Sequence, residues 1–229
     1  TRDEGYVTVM RKIALIGSEQ LSVRLTHYFE STGFGQTVGL FDDYETEGTL
    51  KFGYPILGGI KAVPLLFKKG AFDEVAIAVG YGHMRFRETV FQFLSQNRIP
   101  ITTFIHPTSY VEKSAAIGTG TIILVSCVID MKARLEDNVF VSSRAFISHD
   151  VLIGRHTYLG PAIKLAGGTA VGKRCFLGIS TTSIDGIQIA DDVRVAAGAV
   201  ITRNVPPECL VAGVPAVVKK HFGPDSSVP

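Results

Sequence analysis

The chain has 229 residues, enough for one large or two medium domains. Its 46% hydrophobic and 19% charged residues make an ordinary globular composition, and a net charge of +2 argues against a nucleic-acid or acidic-membrane partner. No apolar run has the length of a membrane span, the first ten residues lack the order of a secretory signal, and Cys127, Cys175 and Cys209 have neither disulfide-framework nor metal-ligand spacing. A cytoplasmic protein without a metal is expected.

Thr1 to Val9 read as a leader before Met10. Arg11–Gly17 then forms a short apolar strand ending at glycine, and Leu21–Thr32 has helical spacing with Leu21, Leu25, Tyr28 and Phe29 on one side. Gln36–Phe41 is a second strand, ending in Asp42-Asp43. Ile60–Phe67 suits a short helix around Pro64. Asp73–Gly80 is a third strand, Met84–Asn97 a helix, and Ile99–Ile105 a fourth strand. Strands alternating with helices predict an α/β domain with a Rossmann-like parallel sheet over residues 1–107, bounded by His106-Pro107. Ligands of such sheets bind beyond the carboxyl ends of the strands. Here those ends are Gly17-Ser18-Glu19, Asp42-Asp43 and Gly80-Tyr81-Gly82-His83. The segment after the first strand, GSEQLS, has one glycine and fails the G-x-G-x-x-G test for NAD or FAD. An aspartate about twenty-five residues on could still accept hydrogen bonds from a base or ribose.

Residues 108–229 are organised differently. From Val111 the chain divides into sixes (VEKSAA, IGTGTI, ILVSCV and onward), whose first place is Val, Ile or Leu in fifteen of sixteen rows, with Ser183 the exception. The fifth place, from Ala115 to Val205, is never charged or aromatic. An α-helix at 3.6 residues per turn would smear this column around its surface, and an ordinary strand needs only period two. A chain winding with three flat faces per coil requires six. The spacing predicts a parallel β-helix of about five coils, first residues inward and fifth residues filling the corners. AGVPAVVKKHF (212–222) reads as a turn and a short C-terminal cap.

On these bland faces His149 stands out, at the third place of ISHDVL and directly before Asp150. An imidazole can act as a base near neutral pH, and a neighbouring carboxylate can orient it. Adjacent residues on a flat strand point apart, so the pair must lie where the backbone turns a corner. His156 reads as a surface residue, His106 and His221 as junction residues, and His27 as solvated. No nucleophile elbow is present, and the cysteines of the small column read as packing, which leaves direct attack on an activated acyl group assisted by one base. Gly167-Gly168, Gly178 and Ala196-Ala197-Gly198 would let a thin ligand lie against the coils.

The hexapeptide run, His149-Asp150, the AGVPA ending and the small α/β domain in front resemble the bacterial hexapeptide-repeat sugar acyltransferases. The likeness is greatest to nucleotide-amino-sugar N-acetyltransferases and sialic acid O-acetyltransferases, and covers nearly all of residues 11–220. The resemblance implies a left-handed β-helix, a homotrimer, and acetyl-CoA as donor, bound between neighbouring subunits. It makes His149 the general base and Asp150 the group that raises its basicity. Gly167, Gly178, Ile179 and Ala197 match the donor groove. Gly17, Ser18, Glu19, Asp42, Asp43 and the Gly80–Arg85 segment, including Tyr81 and His83, match the nucleotide-sugar pocket. The chain departs from the family's G-x-x-G-H after the first strand, has Tyr81-Gly82 for the polar pair after the third, and has Tyr158 where relatives often carry a second histidine.

The expected function is acetyl transfer from acetyl-CoA to the amine of a nucleotide-linked deoxyamino sugar. Transfer to a sugar hydroxyl is the alternative within the fold. A trimeric scaffold without catalysis is the alternative outside it.

Overall fold

The computed structural model describes residues 10–222, so the leader read at Thr1–Val9 and the tail after Phe222 lie outside the described residues. Two compact units emerge. One comprises the chain up to Ala78 together with Asn97–Pro100, and the other Val79–Gln96 together with the chain from Ile101 onward.

The first unit is built on β1 (Lys12–Ile16), α1 (Gln20–Ser31), β2 (Gln36–Phe41), β3 (Leu50–Lys51), β4 (Tyr54–Gly58), α2 (Val63–Lys68) and β5 (Glu74–Ile77). The sheet order is β3-β4-β2-β1-β5, and β1 pairs in parallel with both β2 and β5. The run KIALI is an interior strand between β2 and β5, and Ile13 through Ile16 are buried, which explains its unbroken apolar sequence. Leu25 and Phe29 of α1 fall four apart and are fully buried. Two expectations change here. The strands β3 and β4 were not foreseen, and β3 runs antiparallel to β4, so the sheet is mixed rather than purely parallel. Their apolar content (Leu50, Tyr54, Ile56, Leu57) is short and interrupted by Phe52-Gly53, too brief for periodicity to register. The fourth strand expected over Ile99–Ile105 is absent from this sheet: Pro100 only accepts a hydrogen bond from the Val75 amide, and Phe104–Ile105 pair instead with Ile122–Ile123. The six-residue frame thus begins one six earlier than expected.

In the second unit the repeat folds as a left-handed parallel β-helix. Two-residue strands occupy the sixth and first places of each six and stack into sheets of six, five and eight strands. Rungs pair with residues eighteen away, as Phe146 does with Val128 and Lys164, until the last, where Arg194 and Val195 pair with Leu210 and Val211, sixteen on. The first-place column from Ile123 to Ile201 is buried throughout, and Cys127, Ala133, Ala145, Cys175 and Ala199 of the fifth place fill the corners. Each fully buried Leu, Ile or Val contributes about 1.5–3 kcal/mol, and stacked coils add these rung by rung. Ser183, the one exception in the inward column, keeps its hydroxyl satisfied by Thr169 Oγ1 at 2.9 Å and the Ala166 amide at 3.1 Å. The fourth place of every six, from Gly120 to Gly198, has positive φ. Each corner is therefore a left-handed turn, and polar residues or glycine dominate there because a Cβ is strained in that conformation. The cap is a hairpin, Cys209–Ala212 against Val217–His221, added to the eight-stranded sheet.

One helix from the predicted front domain belongs to this unit. The helix α3 (Met84–Gln96) docks on the corner column Gly120, Asn138, His156, Arg174. Arg87 is fully buried, donating to the Val79 carbonyl at 2.8 Å and to Asn138 Oδ1 at 2.7 Å. Glu88 meets Arg174 at 3.2 Å, and Phe91 lies edge-on to His156 with centroids 5.4 Å apart.

Candidate active site

The chain places His149 at the turn following the rung Phe146–Ile147, and Asp150 at the left-handed corner, φ +57°. That corner folds the two side chains together as the sequence required: His149 Nδ1 lies 2.9 Å from Asp150 Oδ2. The carboxylate can only accept, so Nδ1 carries the hydrogen and Nε2 is left as the basic nitrogen. Both side chains are about half exposed, at 50% and 53%, so the base is open to a second reactant. Beneath the ring is Gly167, one coil on, where a Cβ would come within 2.6 Å of Nε2. A glycine lets the imidazole approach the backbone this closely. Backbone bonds hold the corner from both sides, Asp150 N to Met131 O and Gly168 N to His149 O, each 3.0 Å. An open groove of about 340 Å³ runs past Asp150, lined also by Ser114, Lys132, Arg134, Val151 and Leu152.

The expected donor-groove residues divide. Gly167 touches the His149 ring. Gly178 and Ala197 sit on another sheet and its corner, with the Gly178 position so close to the Ala197 amide that a Cβ would lie 2.8 Å from it. Ile179 is half exposed beside them, and its carbonyl accepts from Gly198 N at 2.8 Å. Gly167 thus belongs to the His149 cluster, whereas buried Gly178 packs under Ala197 beside exposed Ile179.

In the first unit, the carboxyl ends of β1 and β2 bring Gly17, Ser18, Asp42 and Asp43 together. Ser18 Oγ donates to Asp42 Oδ2 at 2.6 Å, and Gly17 N donates to Phe41 O at 2.9 Å. Asp42 Oδ1 accepts from the Tyr44 amide and Asp43 Oδ1 from the Ile60 amide, so both aspartates are fixed by the turns they enter. Glu19 is exposed and within 3.5 Å of Lys51 Nζ. The remaining expected substrate residues, Gly80, Tyr81, His83 and Arg85, fall in the second unit, where Tyr81 stacks on Phe176 at 4.3 Å.

His156 corrects the sequence reading: it is buried, not on the surface. Its Nδ1 lies 3.0 Å from Asn138 Nδ2, and Nε2 is 3.8 Å from Glu88. The helix α3 covers it, a contact that a lone histidine in a coil corner does not announce. Burial drives its pKa down to about 4, against the opposing pull of Glu88. The cysteines are buried, and burial pushes Cys175 up to about 12. A thiol in that state is a poor nucleophile. Among the described residues no group of three or more His, Cys, Asp or Glu side chains could hold a metal, and no helix is long and apolar enough to cross a membrane. Sequence reading missed Arg87, Asn138 and Arg194. The signal was present in the spacing, since 138, 156, 174 and 192 form one corner column and 140, 158, 176 and 194 one outward column.

Comparison with known proteins agrees with this architecture. Residues 168–203 match the family described as the hexapeptide repeat of succinyl-transferase. A stretch of 78 residues is 32% identical to UDP-3-O-acylglucosamine N-acyltransferase of Bordetella pertussis, covering 34% of this chain and 22% of that protein. The likeness thus spans about a fifth of the curated relative's length. Among solved structures, PerB from Caulobacter crescentus in complex with CoA and GDP-perosamine superposes with a TM-score of 0.83 at 28% identity, over 91% of this chain and 97% of that one. The acetyltransferase domain of PglB from Neisseria gonorrhoeae, in complex with acetyl coenzyme A, gives 0.82 at 27% identity, over 91% and 99%. The chain resembles hexapeptide-repeat sugar acyltransferases in its repeat and along most of its length.

Proposed function

We propose that this hexapeptide-repeat chain transfers an acetyl group from acetyl-CoA to the amine of a nucleotide-linked deoxyamino sugar, with His149 as general base. The observation that carries the reading is the His149–Asp150 pair on an exposed corner, 2.9 Å apart, with the Gly167 backbone against the ring. The amine nitrogen attacks the thioester carbonyl carbon and the carbon–sulfur bond breaks, releasing CoA as its thiolate. The proton lost by the nitrogen goes to His149 Nε2, while Asp150 holds the Nδ1 hydrogen and stabilises the imidazolium. No covalent enzyme intermediate forms, in keeping with three buried thiols, of which burial raises the pKa of Cys175 and Cys209.

Gly167, Gly178, Ile179 and Ala197 are the donor contacts; the candidate nucleotide-sugar contacts are the turns at Gly17–Glu19 and Asp42-Asp43 in the first unit and, taken by itself, the Gly80–Arg85 turn of the second. The similar structures solved with CoA and GDP-perosamine, and with acetyl coenzyme A, support both ligands. The protein acts in the cytoplasm as a homotrimer, and Phe146, Leu152, Ile179 and Ile184, exposed on the isolated chain, are apolar surface that lateral packing would cover. The test is thiol release from acetyl-CoA with a panel of nucleotide-linked sugars. The account expects turnover with amino sugars and none with the matched hydroxy sugars. Turnover of the hydroxy sugars alone would instead establish O-acetylation.

A further inference from the structure

Tyr81 lies between two glycines in a turn that has little packing of its own: a Cβ at Gly80 or Gly82 would meet nothing within 4 Å. Such a Gly-Tyr-Gly turn is expected to sample many conformations, because glycine restricts the backbone least. Yet it is held at two points. Arg87 donates to the carbonyl of Val79 at 2.8 Å, just before the turn. Arg194 Nη1 donates to the carbonyl of Tyr81 itself, also at 2.8 Å.

Arg194 is an unexpected residue in its column. The equivalent outward positions on the preceding coils are Phe140, Tyr158 and Phe176, with Phe140 and Tyr158 stacked 4.4 Å apart. A fourth apolar residue would continue that column at no desolvation cost. Arg194 is instead buried to 9% exposure, 5.8 Å over the Phe176 ring. Burial pulls its pKa down, and Asp192, one of the charges nearby, offsets that only in part. Burying a guanidinium is costly, and the hydrogen bond it makes there goes to the Tyr81 carbonyl. The Tyr81 ring is thereby clamped on Phe176 at 4.3 Å, with interplanar angle 13°, while half of it stays exposed at 51%.

We propose that Arg194 is a positioning residue for nucleotide-sugar binding: from the β-helix it fixes the Gly80–Gly82 turn and sets the exposed face of Tyr81 to receive a planar part of that substrate. This rests on the function proposed above. Aromatic side chains fixed before binding add contact area at little entropic cost, which is what a preorganised recognition surface requires. A residue serving only stability would affect both substrates together.

The experiment uses the full chain, with Arg194→Met and Arg194→Lys, and with Tyr81→Trp as a reporter, since the sequence contains no tryptophan. Calorimetry first establishes that the wild type binds a nucleotide-linked amino sugar, and failure at that step overturns the functional reading rather than the clamp. The Tyr81→Trp indole then reads the clamp directly: its anisotropy should fall when Arg194→Met is added, with or without ligand. With binding established, Arg194→Met should raise KM for the nucleotide sugar by about tenfold, leave KM for acetyl-CoA and kcat within about threefold, and be rescued by Arg194→Lys. Indole emission of Tyr81→Trp should also shift on adding the nucleotide sugar and not on adding acetyl-CoA. Unchanged anisotropy, or equal rises in both KM values together with a lowered Tm, would overturn the proposal.

Discussion

Gly167 lies directly under the His149 imidazole, so close that an added Cβ would be 2.5 Å from the ring's Cε1. Its φ is not in the left-handed region, so alanine there meets no backbone strain, only the ring. The ring is half exposed and can move aside. Gly167→Ala should therefore cost less than about 1 kcal/mol of stability while lowering kcat by tenfold or more, because a base misplaced by an ångström loses its alignment. Urea denaturation beside steady-state kinetics checks this, and proportional losses in both would argue against the reading.

Asp150→Asn probes the other side of the ring. The amide at 150 removes the charge that steadies the imidazolium and no longer enforces the Nδ1–H tautomer. Asparagine tolerates the left-handed corner well, so folding should be preserved. The expected outcome is a fall in kcat of about 10²-fold, smaller than that of removing the base, with an unchanged circular dichroism spectrum.

Buried His156 predicts how stability depends on pH. Its pKa in the fold is driven by burial to about 4, whereas in the unfolded chain it takes the ordinary histidine value near 6.5. Between those values the unfolded state holds the proton and the folded state does not, so acidification favours unfolding. The contribution of neutral His156 is complete above about pH 6.5 and is lost as pH falls toward 4. Wild-type urea midpoints should drop between pH 7 and pH 5. His156→Asn, which keeps a side chain suited to the left-handed corner, should show a shallower drop over the same interval.

The corners supply a test of the repeat itself. Gly186 has φ +68° and open space around it, so Gly186→Ala carries backbone strain and nothing else. A loss of about 1 kcal/mol is expected, with Gly186→Asn recovering most of it.

Much of this molecule could be read from the chain. The six-residue period announced the β-helix because each coil repeats the same burial problem, and His149-Asp150 stood out against it for the same reason. The register at eighteen, the inward Ser183 and the turned corner at Asp150 all follow from that period. Other features depend on contacts between distant residues that no local pattern encodes. The docking of α3 on the coils is one: Arg87 and Asn138 are fifty-one positions apart, and an arginine at helical spacing reads as solvent-facing. His156 was misread as a surface residue because the helix that buries it comes from elsewhere in the chain. The strand pair β3–β4 escaped because two- and five-residue runs are shorter than the window periodicity needs.

The central claim is that the free nitrogen of His149 takes the proton of the attacking amine. Single-turnover kinetics of His149→Ala, with saturating acetyl-CoA and a nucleotide-linked amino sugar that the wild type turns over, test it most directly. The account predicts a loss of about 10²–10⁴-fold in the acetyl-transfer step, with both ligands still bound within a few-fold of wild-type affinity. Transfer at the wild-type rate by a correctly folded His149→Ala protein would contradict it.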